Sequence, residues 1–191
     1  MSKLKLLIEA ARTDDESTFI ELLKEGADPS KEMENGNTVI REAVLNNSIK
    51  VLKILLNEHV ALDFKTFYMP STGSNELGYC PIHYARNATI IDLLIKHGAS
   101  IDQQTHMGHT LLMLMILGLE KEDCTSFIKH IMAKKPNLKK RGKFDYFAKN
   151  GSALDLVEIL ISNYERKYAK RSLDSIKQII DRLIGMRETL L

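Results

Sequence analysis

The chain has no tryptophan, two cysteines and four prolines, and aromatic residues make up 6% of its 191 positions. The two thiols, Cys80 and Cys124, are scattered. They do not make the disulfide framework of a small secreted domain, so a reducing, cytoplasmic setting is expected. Long apolar runs are missing too. The uncharged stretch from Thr105 to Leu119 holds two histidines and falls short of the roughly 20 apolar residues of a spanning helix. The N-terminal apolar run meets Glu9, Arg12, Asp14 and Asp15, unlike the apolar core of a secretory signal. A soluble protein with no membrane partner is expected. A net charge of only +2 gives no chain-wide attraction to nucleic acid. What is abundant is hydrophobic, at 44%, which supplies a core and excludes global disorder.

Much of that apolar material recurs. Leu22-Leu23-Lys24-Glu25-Gly26-Ala27-Asp28-Pro29 returns as Leu94-Ile95-Lys96-His97-Gly98-Ala99-Ser100. Weaker copies are Leu55-Leu56-Asn57-Glu58-His59-Val60-Ala61 and Ile131-Met132-Ala133-Lys134-Lys135-Pro136. Gly26 and His59 fill one slot, 33 positions apart. A second segment alternates with the first: Gly36-Asn37-Thr38-Val39-Ile40-Arg41-Glu42-Ala43, Gly78-Tyr79-Cys80-Pro81-Ile82-His83-Tyr84-Ala85, Gly108-His109-Thr110-Leu111-Leu112-Met113 and Asn150-Gly151-Ser152-Ala153-Leu154-Asp155. The steps between Thr38, Cys80, Thr110 and Ser152 are 42, 30 and 42, scattered around one period.

Local chemistry gives these segments helical form. Thr38, Thr110 and Ser152 stand just before apolar runs, where a hydroxyl can accept from the first backbone N–H groups of a helix. Pro81 follows Cys80 at the first helical position, where its missing N–H is harmless. Gly26 and Gly98 close amphipathic stretches, as left-handed terminators do. The Asn35-Gly36 and Asn150-Gly151 pairs are hairpin-turn signals. Helices this short are marginal alone and need neighbouring repeats.

At these residues the chain resembles the ankyrin repeat, whose signature is Thr-Pro-Leu-His-x-Ala within about 33 residues. Gly78 to Ala85 is the nearest match, and Gly26 to Pro29 resembles the family's Gly-Ala-Asp-Pro loop. The resemblance implies an all-α ankyrin-repeat solenoid of stacked helix-turn-helix units with short hairpin loops. The expected repeats are 3–33 (an N-terminal cap with Lys3, Lys5, Glu9 and Arg12 facing outward), 34–66, 76–102, 103–140 and 141–188, in one domain over 1–191. The last repeat ends in a charge-rich helix from Ser172 to Met186.

Three departures stand out. Residues 64–75 form an insertion whose Phe67-Tyr68-Met69 cluster either folds back on the stack or offers a contact element. The third repeat is short, with Asn87 expected to end its first helix. In the fourth, Met113 replaces the family's histidine and Met115 and Ile116 replace alanines, bulk that should disturb regular packing. The Leu111 to Leu117 run could also be an adaptable methionine-rich surface, but its inner-helix register favours core.

The resemblance gives His83 a structural role, hydrogen bonding backbone of an adjacent repeat. His106 and His109 lie at a hairpin tip without the further ligands a zinc site needs. The run Lys134 to Lys143 carries six positive charges in ten positions. A solvated loop is expected there, with nucleic-acid contact as the alternative. No nucleophile–base pair, phosphate-cradling glycine loop or paired carboxylates emerge, so no enzyme activity, cofactor or metal is expected. In the family, hairpin tips and exposed ends of inner helices bind protein partners. The matching positions are Glu34, Asn35, Asn37, Asn46, Glu76, Leu77, Tyr79, Asn87, His106, Met107, His109 and Lys149, with Tyr79 and Met107 as the expected anchors. A monomeric protein-interaction module follows. Its style is similar to ankyrin chains of intracellular bacteria, some delivered into host cells, which suggests an effector; the alternative is an immunity or inhibitor protein that plugs a toxin.

Overall fold

Thr38 begins a helix as its position demands: its Oγ accepts from the Arg41 N–H at 3.3 Å, and α3 runs Val39–Leu45. The same device starts α6 (Leu111–Gly118), where Thr110 Oγ accepts from the Met113 N–H. It also starts α8 (Ala153–Tyr168), where Ser152 Oγ accepts from the Asp155 N–H and the Asp155 carboxylate accepts from the Ser152 N–H at 2.8 Å. This reciprocal pair is a capping box; the two Ser152 bonds, with Arg141 nearby, hold the Asp155 carboxyl below its ordinary value. The structure is a computed structural model and describes residues 2–33, 36–62, 78–118, 125–144, 149–168 and 174–191. The insertion 64–75 lies outside them.

The chain divides into two compact units, Met1–His106 and Met107–Leu191. In the N-terminal unit, α1 (Lys3–Thr13) and α2 (Glu16–Lys24) form the first helical pair, and α3 and α4 (Ile49–Asn57) the second. The third is a single 3₁₀ turn, Pro81–Tyr84, followed by α5 (Ala88–Lys96). Helix α1 packs on α3 and α3 on the 3₁₀ turn, making an inner row; α2, α4 and α5 follow each other outside it. Leu7, Phe19, Val39, Leu52, Leu55, Ile82, Ile90, Ile91 and Leu94 are fully buried between them. Each such side chain contributes about 1.5–3 kcal/mol, which lets helices of seven to eleven residues persist.

The third pair departs from expectation. Asn87 begins α5, its side chain accepting from the Thr89 N–H at 2.8 Å, so the first helix of that repeat shrinks to four residues. Between the pairs, Gly26 and Gly98 take the left-handed backbone expected of them, with φ of 81° and 100°. His59 and Lys135 fill the same slot at φ 55° without being glycine. A left-handed non-glycine residue costs roughly 1–2 kcal/mol, partly offset by the extra freedom glycine gives the unfolded chain. Replacing exposed His59 by glycine should therefore raise stability by about 0.5–1 kcal/mol, read as a higher urea midpoint; a lower midpoint would mean the imidazole itself stabilises the fold.

In the C-terminal unit α6 packs on α7 (Thr125–Ala133) and α8, while α9 (Asp174–Leu190) packs on α7 and α8. Leu111, Leu112, Met113, Met115 and Ile116 are all buried, so the methionine-rich run is core. One element was not foreseen. Strand β1 (Gly142–Phe144) pairs antiparallel with β2 (Lys149–Gly151), and Asn150 and Gly151 lie in the ladder opposite Lys143 and Gly142. The Asn-Gly signal is therefore not a turn here. In the three earlier repeats glycine stands two residues before the cap with φ of 75–83°; the fourth has Asn150 there, in a strand. Among the described residues the fold is otherwise all-α, and no helix is long and apolar enough to cross a membrane.

Candidate protein-binding face

Glu42 organises the inner row of the N-terminal unit. It sits on α3 with 6% of its surface exposed, where an isolated carboxylate would be costly. Arg12, reaching across from α1, donates Nε–H to Oε2 at 2.8 Å. Asn37, from the hairpin before α3, donates to Oε1 at 2.7 Å, and Arg41 Nη1 adds a contact at 3.1 Å. Asn46 at the end of α3 donates to the Glu42 carbonyl and carboxylate. Burial opposes ionisation of Glu42, but the hydrogen bonds from Arg12 and Asn37 and the two guanidinium charges outweigh it and hold its carboxyl below the ordinary value. Reciprocally, the bond to Glu42 raises Arg12 above its ordinary value.

The cluster continues into the third repeat. The Arg41 guanidinium lies 4.9 Å from the ring centre of Tyr84, a cation–π distance. Tyr79 packs on Tyr84 at 5.4 Å between centroids and meets His83 edge-on at 5.7 Å. Below it, fully buried His83 joins two repeats as expected. Its Nδ1 accepts from the Cys80 N–H at 2.9 Å, which leaves the proton on Nε2 to donate to the Gln103 carbonyl at 2.9 Å. Asp14 ties the first two repeats in another way: its carboxylate accepts from the Val51 N–H at 3.0 Å, in the first turn of α4.

Of the positions expected to meet a partner, Asn46 is exposed and Tyr79 half-exposed on this row. Asn37 is not available: it is 5% exposed and its amide donates to the buried Glu42 carboxylate. Asn87 is half-buried and occupied as a helix cap. His106 is exposed beside Gly78, where an added Cβ would meet the His106 nitrogen at 2.9 Å. In the C-terminal unit, half-buried Met107 and His109 are pinned against β1. The Lys143 N–H donates to the Met107 carbonyl at 2.7 Å, His109 Nε2 contacts the Lys143 carbonyl, and its ring stacks on Phe144 at 5.5 Å. Glu34, Asn35, Glu76 and Leu77 lie outside the described residues, as does the side chain of Lys149.

Sequence reasoning missed the Arg12–Glu42–Arg41–Tyr84 cluster and the exposed Leu45. Leu45, on the last turn of α3, is 40% exposed. With Leu191 it is one of two large apolar side chains so exposed among the described residues. Arg12, read as facing outward from the cap, instead turns its guanidinium to the second repeat. The alternation of the two recurring segments could have placed Leu45 and Arg12 in one slot, since they are 33 positions apart. No cluster of three His, Cys, Asp or Glu residues able to hold a metal occurs among the described residues.

A family model for ankyrin repeats in three copies matches residues 7–105. The chain belongs to the ankyrin-repeat family. The matched span begins inside α1, runs past α5, and includes His83, Gly26 and Gly98. Comparison with curated proteins gives no match. Ankyrin repeats are in general protein–protein interaction modules.

Proposed function

We propose that this ankyrin-repeat protein is a non-enzymatic binding module that holds a partner protein on the inner-helix row and hairpin tips of its N-terminal unit. The observation that supports this is the organisation of the row. Exposed Leu45 lies on the last turn of the helix that carries Glu42, to which Arg12 and Asn46 donate, and Arg41 of that same helix meets Tyr84, on which Tyr79 packs, in the next repeat. Interfaces draw most of their energy from a few aromatic, arginine and apolar anchors within polar surroundings. Side chains ordered before binding lose less entropy on it. Tyr79 remains the preferred aromatic anchor, now joined by Leu45 and Arg12.

The test begins with affinity capture from the native source and mass-spectrometric identification, then titrates the recovered partner. Leu45→Asp and Tyr79→Ala should each weaken binding at least tenfold, about 1.4 kcal/mol, with the helical circular dichroism of the parent retained at the binding temperature. Full-strength binding by both variants would refute the mapping. Roles as an effector inside a host or as a toxin inhibitor are special cases of this reading, told apart by which partner is recovered.

A further inference from the structure

The formal charge is divided unevenly along the chain. Residues 1–106 hold 11 Lys and Arg against 15 Asp and Glu, whereas 107–191 hold 16 against 10. Within the second unit the excess is concentrated further: residues 125–144 contain seven Lys and Arg and no acidic residue. The near-neutral total hides this local field.

The backbone carrying these charges is fixed. Lys135 takes a left-handed conformation after α7, its N–H bonded to the Met132 carbonyl. The Asn137 side chain accepts from the Lys139 N–H at 3.0 Å and its carbonyl from the Lys140 N–H at 3.2 Å. Lys143 projects from β1 between buried Gly142 and Phe144, held on one side by β2 and on the other by Met107. Glycine is needed at Gly108 and Gly142, because a Cβ on the first would meet the Arg141 carbonyl at 2.7 Å and one on the second the His109 ring at 2.6 Å. Arg141 pairs with Asp155 at 3.4 Å. Lys135, Lys139 and Lys143 are exposed and Lys140 half-exposed, and among the described residues no carboxylate pairs with these four.

We infer that this lysine edge binds an acidic, carboxylate-rich peptide segment of the protein partner. The inference rests on the protein-binding reading above and names the chemistry of a second contact. Complementary charge is the first argument. The second is what the described edge lacks: among the described residues no ring is fully exposed between 125 and 144, Phe144 being buried against His109 and Phe127 half-buried, whereas single-stranded nucleic acid is held by exposed stacking rings. The third is length. The run from Lys134 to Lys143 covers ten residues, a stretch that a short acidic segment matches.

The test uses the full chain and a fluorescent peptide of alternating Glu and Ser, about a dozen residues long, followed by anisotropy in low salt. Saturable binding is expected, weakened at least about tenfold when Lys135, Lys139, Lys140 and Lys143 are all changed to Glu, and weakened by added salt. A Gln–Ser peptide should not bind. Changing the same four lysines to Gln gives an intermediate loss and guards against misfolding of the reversed variant. Overturning results are no binding, tighter binding of a single-stranded oligonucleotide of equal charge, or preferential pelleting with phosphatidylserine vesicles. Leu45→Asp should bind the acidic peptide normally, so failure here and failure of the inner-row mapping are read separately.

Discussion

Replacing Glu42 by alanine should destabilise the chain by about 2–4 kcal/mol, the sum of three unequal losses. Asn37, 5% exposed, would lose the Glu42 acceptor of its amide, a loss of about 1–3 kcal/mol. The Arg41 side chain, 14% exposed, would remain largely buried beside Tyr84 and lose the Glu42 charge 3.1 Å away, a costly removal of one partner of a buried pair. Arg12 is nearly half-exposed, and water would replace most of its bond, so its share is within about 1 kcal/mol. The pH dependence follows in sign. Because the folded carboxyl lies below its ordinary value of 4.5, its contribution is fully present above that pH and disappears as pH falls through the folded value. Urea denaturation at pH 7 should show the full deficit of Glu42→Ala; near pH 3 the gap to the parent should narrow. An equal deficit at both pH values would mean that shape, not charge, is what Glu42 supplies.

His83→Ala should be comparably damaging, at about 3–4 kcal/mol. The change leaves the buried Cys80 N–H and the Gln103 carbonyl without these bonds and opens a void where the imidazole is fully enclosed. His83→Gln retains an amide able to serve one of the two groups and should recover about half of the loss. Hydrogen exchange distinguishes this from general weakening: the Cys80 amide and the segment around Gln103 should open first. A loss below about 1 kcal/mol, or uniform exchange, would mean the two repeats are joined chiefly by apolar packing.

The features legible in the sequence were those that local chemistry decides. Thr38, Thr110 and Ser152 cap helices, Pro81 opens its turn and Gly26 and Gly98 close helices because each acts on backbone within four residues. His83 was legible through family likeness, and its two bonds have the expected form. The misreadings arose where distant contacts overrule local preference. Asn150-Gly151 is a turn signal by itself, but a partner strand from Gly142 draws it into a ladder. Asn37 occupies a hairpin-tip position, yet Glu42 five residues later turns it inward. Arg12 and Glu42 are 30 positions apart, so no window short enough to reveal a helix could reveal their pairing. Leu45 was hidden differently: an apolar residue on an apolar helix reads as core, and only three-dimensional packing leaves it uncovered.

The four-residue turn at Pro81–Tyr84 has one more consequence. A helix that short has almost no ladder of its own, so its shape is held from outside, by α3 on one flank and by the Gln103 loop through His83. It is a passenger of its neighbours. Repeat arrays are usually trimmed by whole modules with a graded loss, but here excision of the second module would melt the third as well, making the front of the array indivisible.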